Sequence, residues 1–171
     1  MEMKQLSSNK EGFNKDASLE FKFIWMIKAF LGNYFITKDI NADLNAGTDF
    51  LVLNLNNFRI AVRLRRYEYY LKYPDDFTIR WERPSGVITE YAKIMTGLVD
   101  YIFYGFINQE ETEIIKYFIG DLKIFRDKNL KPLEIKINDP YDSTFAVFNV
   151  NQFPQEFILD KYNQLVYYAT N

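Results

Sequence analysis

Neither cysteine nor histidine occurs anywhere in the 171 residues. Without cysteine there can be no disulfide, no thiolate metal site and no thiol nucleophile, and without histidine the usual general base and zinc ligand are missing as well. Any chemistry is left to carboxylates, lysine, arginine, tyrosine, hydroxyls, or a metal held by oxygen, and the last option favours Mg²⁺ or Mn²⁺. Long hydrophobic runs are also missing: none approaches the roughly 20 apolar residues of a membrane span. The first dozen residues are polar and lack the apolar centre of a secretory signal. These absences predict a soluble, intracellular, cytoplasmic protein with no membrane partner. There is no glycine-rich phosphate loop and, without histidine, no Ser/His/Asp arrangement.

What is present is a chain with 48% apolar and 18% aromatic residues, well outside disordered composition and long enough for one domain with a substantial core. No repeat, low-complexity segment or linker divides it. The expected organisation is a flexible arm over residues 1–15 and a single domain over 16–171. The bias toward Asn, Ile, Lys, Tyr and Phe suits an AT-rich source such as a phage, a plasmid or a low-GC bacterium. A formal net charge of −2 does not advertise a nucleic-acid binder, but its distribution is uneven. From Arg59 to Lys72 stand five positive residues (Arg59, Arg63, Arg65, Arg66, Lys72) against one negative, Glu68, while acids gather near 109–113 and 138–142. Such a basic strip can track phosphates, or simply solvate the exposed face of a strand.

Along the chain, Asp16 or Ser18 can cap a helix running to about Tyr34, with Phe23, Ile24, Ile27, Phe30, Leu31 and Tyr34 at three- and four-residue spacing. Glu20 falls on that stripe, or sits in the first turn where the helix dipole favours it. A strand over Asp49 to Leu55, a turn at Asn56-Asn57 and a second strand from Arg59 follow, with Ile60, Val62 and Leu64 on one face and Arg59, Ala61, Arg63 and Arg65 on the other. A third strand is expected at about Phe77 to Trp81, then a break at Pro84-Ser85-Gly86. Next come a helix from about Ile88 to Leu98, with Tyr91, Ile94, Met95 and Leu98 inward, and an aromatic strand from Tyr101 to Phe106. The three early strands suit an antiparallel meander, and the helix after them a crossover that sets the fourth strand parallel to a neighbour. The remainder reads as an amphipathic helix over Glu110 to Phe125 and a hairpin of Leu133 to Ile137 with Thr144 to Val150. A last helix is expected from Pro154 to near Tyr168.

Asp49 entering an apolar strand, then a strand with alternating arginines, set in the order αβββαβ, resembles the core of the PD-(D/E)XK nuclease superfamily. That resemblance implies an α/β (α+β), restriction-endonuclease-like fold, its mixed central sheet flanked by helices, with a C-terminal helix-hairpin-helix elaboration. It also implies a Mg²⁺- or Mn²⁺-dependent deoxyribonuclease. Carried over position by position, Asp49 matches the metal-binding aspartate and Glu20 the helix glutamate, while Ala61 stands at the second acid and Arg63 at the lysine. Arginine can hold phosphate through its planar fork but cannot act as a base. In this superfamily the acid or lysine can migrate to the helix after the third strand, where Glu90 and Lys93 lie three apart. The resulting expectation is a metal site of Glu20, Asp49 and Glu90, with Asp49, Arg63 and Lys93 as catalytic residues. Arg59, Arg63, Arg65, Arg66 and Lys72 would lie along nucleic acid, DNA in particular. Tyr67, Tyr69, Tyr70 and Tyr73, interleaved with those cations, can stack on bases or pack as core. The alternative is a catalytically inactive relative of the same fold that binds nucleic acid or a protein partner, such as a phage or plasmid accessory protein or an inhibitor of a host defence system.

Overall fold

The computed structural model describes residues 19–37, 51–52, 58–83, 88–138 and 143–164. The arm over 1–15 and the capping residues Asp16 and Ser18 lie outside them. A helical turn at 19–22 leads into α1 (Ile24–Phe35). Leu19, Phe23 and Ile27 recur every fourth residue and are buried, with Phe30 and Leu31 packed on the same cluster, so the expected stripe is the inward face. Short strands β1 (Ile36–Thr37) and β2 (Leu51–Val52) pair antiparallel, and β2 is the described part of the strand expected over Asp49 to Leu55. After β3 (Ile60–Arg65) come α2 (Tyr67–Lys72), β4 (Asp76–Glu82), α3 (Glu90–Met95) and β5 (Tyr101–Ile107). The alternation in β3 is as expected: Ile60, Val62 and Leu64 join the cluster under α1, while Ala61 packs into the cluster on the other side.

Both the strand at β4 and the helix at α3 fall where periodicity puts them. Thr89 caps α3, accepting from the Ala92 N–H at 3.3 Å. Ile94 is buried and Tyr91 and Met95 pack beside it, whereas Leu98 is exposed, because α3 has ended before it and Gly97 turns the chain at φ +71°. The crossover also delivers β5 parallel to β3, in register from Ile60 with Tyr101 to Arg65 with Phe106. Among the described residues the meander does not form. There β3 ends a four-stranded sheet ordered β3-β5-β6-β9, where β6 is Ile114–Asp121 and β9 is Ile158–Asn163. β4 instead pairs with β8 (Ser143–Asn149) in a separate antiparallel sheet ordered β4-β8-β7, where β7 is Glu134–Asn138. The short helix α2 between β3 and β4 separates them: with six helical residues in the connection, the tight turn a meander requires is absent.

The segment expected to be a helix over Glu110 to Phe125 is strand β6 followed by α4 (Leu122–Lys128). Its apolar spacing mimics a helix because β6 is covered on both faces and carries a bulge. Phe106 pairs with Lys116 but Ile107 with Ile114, so Ile115 is an extra residue that shifts the alternation by one. Ile114, Tyr117 and Ile119 therefore face α1, and Ile115 and Phe118 face the other cluster. Over the described residues the last expected helix is likewise replaced, by two 3₁₀ turns (Val150–Gln152 and Gln155–Phe157) and strand β9, so the hairpin follows the short helix α4 and leads into a strand rather than a helix. Phe157 sits against Gly120, where a Cβ would meet its ring at 2.8 Å. This close approach holds the turn onto β6. The β7–β8 hairpin is as expected, its turn at 139–142 outside the described residues.

The whole is a mixed α/β structure. α1 covers one face of the four-stranded sheet. On the other face a cluster of aromatic side chains joins that sheet to one face of the three-stranded sheet. No helix among the described residues is long and apolar enough to cross a membrane.

Candidate nucleic-acid interface

Near the end of β3, strand alternation brings polar side chains of β3 and β4 together. On β4, Phe77 and Ile79 are fully buried in the aromatic cluster, so Asp76, Thr78 and Arg80 point the other way. Phe145 and Val147 of β8, and Lys136 of β7, stand on that same surface by register. Facing them are Arg63, Arg65 and Arg66 from β3 and its end, together with Tyr69 of α2 and Tyr73, which ends that helix with its N–H on the Tyr69 carbonyl. Between the two walls lies a cleft of about 270 Å³, with Glu90 and Tyr104 in its lining. Five cations, Arg63, Arg65, Arg66, Arg80 and Lys136, face two carboxylates, Asp76 and Glu90, so the cleft is net positive in a chain that is net negative.

These side chains are held by a network. Arg63 grips Glu90 with both arms of its guanidinium, Nε to Oε1 at 3.2 Å and NH2 to Oε2 at 2.9 Å, and the Arg80 backbone N–H also donates to Oε2 at 3.1 Å. Glu90 is only 13% exposed and Arg63 23%, so solvent screens this pair far less than the surface pairs. Arg65 donates to the Tyr104 hydroxyl at 3.0 Å and to the Thr78 hydroxyl, and its guanidinium lies over the rings of Tyr69 (5.8 Å) and Tyr104 (5.9 Å). Arg66 reaches out to Glu111 at 3.0 Å, which also meets Lys22 at 3.8 Å. Lys136 rests over Tyr73 at 5.0 Å, and its hydrogen bond to Glu134 raises its pKa, keeping the ammonium charged.

Of the residues expected to bind nucleic acid, Arg63, Arg65 and Arg66 are brought together in this cleft. Arg59 and Lys72 are not among its lining residues. Arg59 clamps the start of β3 to the end of α3. Its guanidinium donates to the Gly97 carbonyl at 2.7 Å and to Asp100 at 3.2 Å, and its backbone N–H donates to the same carboxylate at 2.9 Å. Those bonds hold the Asp100 carboxyl below its ordinary pKa of 3.8. Lys72 is exposed at the end of α2, and Lys93 is exposed on α3. Asp76, Thr78, Arg80, Tyr104 and Lys136 were not singled out from the sequence. Alternation in β4 and β7 carries the signal for Thr78, Arg80 and Lys136, each flanked by apolar neighbours that face the other way.

Among the described residues, Glu20 and Glu90 are not brought together around one point. Glu20 belongs to the opening helical turn, on the element packed against the opposite face of the four-stranded sheet from the α3 side where Glu90 sits. Glu90 already accepts three hydrogen bonds, two of them from a guanidinium that would repel a cation. Asp49 lies outside the described residues, and among those described no three carboxylates gather as a metal centre requires. Comparison with protein-family models, with curated proteins and with solved structures gives no match.

Proposed function

We propose that this chain binds nucleic acid, DNA in particular, through the cleft between β3, α2 and the β4-β8-β7 sheet, on a scaffold related to the PD-(D/E)XK nucleases that does not cut its ligand. The observation that carries this reading is the cleft itself: five cations with aromatic side chains beside them. Arginine forks complement phosphate oxygens, and Tyr69 and Tyr73 offer ring faces on which bases stack at little sequence cost. A volume of about 270 Å³ lies at the small end of ligand pockets, the scale of one nucleotide rather than a duplex groove, so single-stranded or frayed ends are the expected ligands.

The parallel β3–β5 pair across the α3 crossover supports the proposed kinship, while the insertion of α2 between β3 and β4, and β4 leaving the central sheet, are departures from it. The binding reading is favoured over catalysis by Glu90, whose carboxylate is committed to Arg63 and the Arg80 N–H. Purified protein incubated with single-stranded, double-stranded and branched DNA in Mg²⁺ or Mn²⁺ is expected to bind and leave every substrate intact, with Asp49→Ala unchanged in affinity. Metal-dependent cleavage that disappears in Asp49→Ala would restore the nuclease reading, and failure to bind any of the three substrates would remove the proposal.

A further inference from the structure

Strand β7 ends the three-stranded sheet, and among the described residues it pairs on one side only, with β8. Its alternate side chains are unusual for such an edge. Leu133, Ile135 and Ile137 are 57%, 50% and 71% exposed. Register places Ile135 beside Ala146, which is fully buried, and Ala146 in turn beside Ile79. Ile135 and Ile137 therefore continue the core-facing surface of the sheet one strand beyond the core. Free edges are normally blunted by proline, a bulge or an inward-pointing charge; here Pro132, and Leu133 with its N–H donated to the Val147 carbonyl at 2.8 Å beside the Glu134–Val147 pair, blunt the start of the edge, while the apolar side from Ile135 to Ile137 carries none of these.

The sequence of the edge identifies what completes it. Leu133-Glu134-Ile135-Lys136-Ile137 has the same pattern of residue types about Ile135 in both directions, except that the charges are opposite. From these observations we propose that β7 pairs antiparallel with β7 of a second copy of this chain, centred on Ile135, to join two three-stranded sheets into one of six strands. In that register Ile135 faces its own counterpart, while Leu133, whose N–H donates to the Val147 carbonyl within its own sheet, lies beyond the paired stretch. Glu134 faces Lys136, and Lys136 faces Glu134, on the opposite surface. Sliding by two residues in either direction sets Glu134 against Glu134 or Lys136 against Lys136, and sliding by one sets apolar side chains against charged ones. Charge and pattern thus select one register, and it is the self-complementary register of a twofold dimer. Within one chain Lys136 lies 3.1 Å from Glu134, so pairing exchanges this exposed contact for two across the dyad.

An interface of one short strand is small beside the ~1,600 Å² of a standard specific complex, so the dimer forms in a concentration-dependent way. Sedimentation velocity of the full chain over a concentration series tests it. The unaltered protein is expected to pass from monomer to dimer as concentration rises. Glu134→Lys and Lys136→Glu each place like charges in both facing pairs and are expected to weaken the dimer about tenfold, while the double charge reversal restores it. Ile137→Lys, at the most exposed of the three apolar positions, serves as a second disruption, and the unfolding midpoint of each variant identifies any that fails to fold. A monomer at every concentration would overturn the proposal. So would a dimer that persists in folded Glu134→Lys and Ile137→Lys, or a double reversal that dimerises no better than the single variants.

Discussion

Strand β4 shows Phe77 and Ile79 to one side of its sheet and Asp76, Thr78 and Arg80 to the other, and the two sides have different physical characters. Phe77 is fully buried, with the rings of Tyr104, Phe118, Phe125, Phe148, Phe153 and Phe157 all centred within 6.3 Å of its own. One residue on, the Thr78 hydroxyl lies 3.3 Å from that of Tyr104 and accepts from Arg65 in a polar cleft. Tight apolar packing on one side supplies the stiffness that holds a row of cations in place on the other, against their mutual repulsion. Cooperative stability is thus expected to depend mainly on the first face and ligand affinity on the second.

The sharpest break of this contrast is Phe77→Ala, expected to cost about 3–5 kcal/mol in denaturant unfolding because the surrounding rings cannot close the cavity. A cost below about 1 kcal/mol would mean that the aromatic cluster is not the core. On the cleft side, Glu90→Gln removes the charge that neutralises Arg63 while keeping its shape. It is expected to lower stability by about 1–3 kcal/mol and, by leaving Arg63 to the ligand, to tighten DNA binding. If Glu90 instead held a metal, the same change would weaken a Mg²⁺-dependent property, so opposite movement of stability and affinity separates the two roles. Thr78→Val, which deletes the hydroxyl bonded to Arg65, is expected to cost only about 1 kcal/mol in the same unfolding assay.

Much of the framework was readable because it rests on local rules. The four-residue stripe of α1 and the two-residue alternation of β3 and β4 each bury the side that the pattern marks, and the hairpin of β7 and β8 pairs where the turn residues place it. The failures lie where a tertiary feature alters the pattern. The bulge at Ile115 gives a doubly buried strand the spacing of a helix, and the tyrosine-rich run after β3, assigned no element from its pattern, forms α2. Sheet membership was not legible either, since β3 and β4 are neighbours in sequence but their partners, β5 and β8, lie far along the chain. In the site, the basic strip revealed three cleft arginines. Glu90 was noticed for its charge and position, but its engagement by Arg63 depends on the folded approach of α3 to β3.

The smallest effect lies away from both faces, at the Arg59 clamp. With the Asp100 pKa lowered by Arg59, the folded state favours the carboxylate, so its contribution is complete above the ordinary value of 3.8 and disappears as pH falls through the lower folded value. Asp100 and Arg59 are 29% and 52% exposed, so Asp100→Asn is expected to cost under about 1 kcal/mol at neutral pH. The difference from the unaltered protein shrinks as pH falls below 3.8 and is gone once the pH is below the lower folded value. A difference that grows on acidification would contradict this account of the clamp.

The most direct test is equilibrium binding of a labelled single-stranded oligonucleotide across a salt series, comparing the unaltered chain with the double variant Arg65→Gln/Arg80→Gln. The cleft account predicts affinity that falls steeply with salt. The double variant is expected to bind at least about tenfold more weakly and to have a shallower salt slope, by roughly 0.7 for each phosphate no longer neutralised. Equal affinity and equal slope in a folded double variant would contradict it.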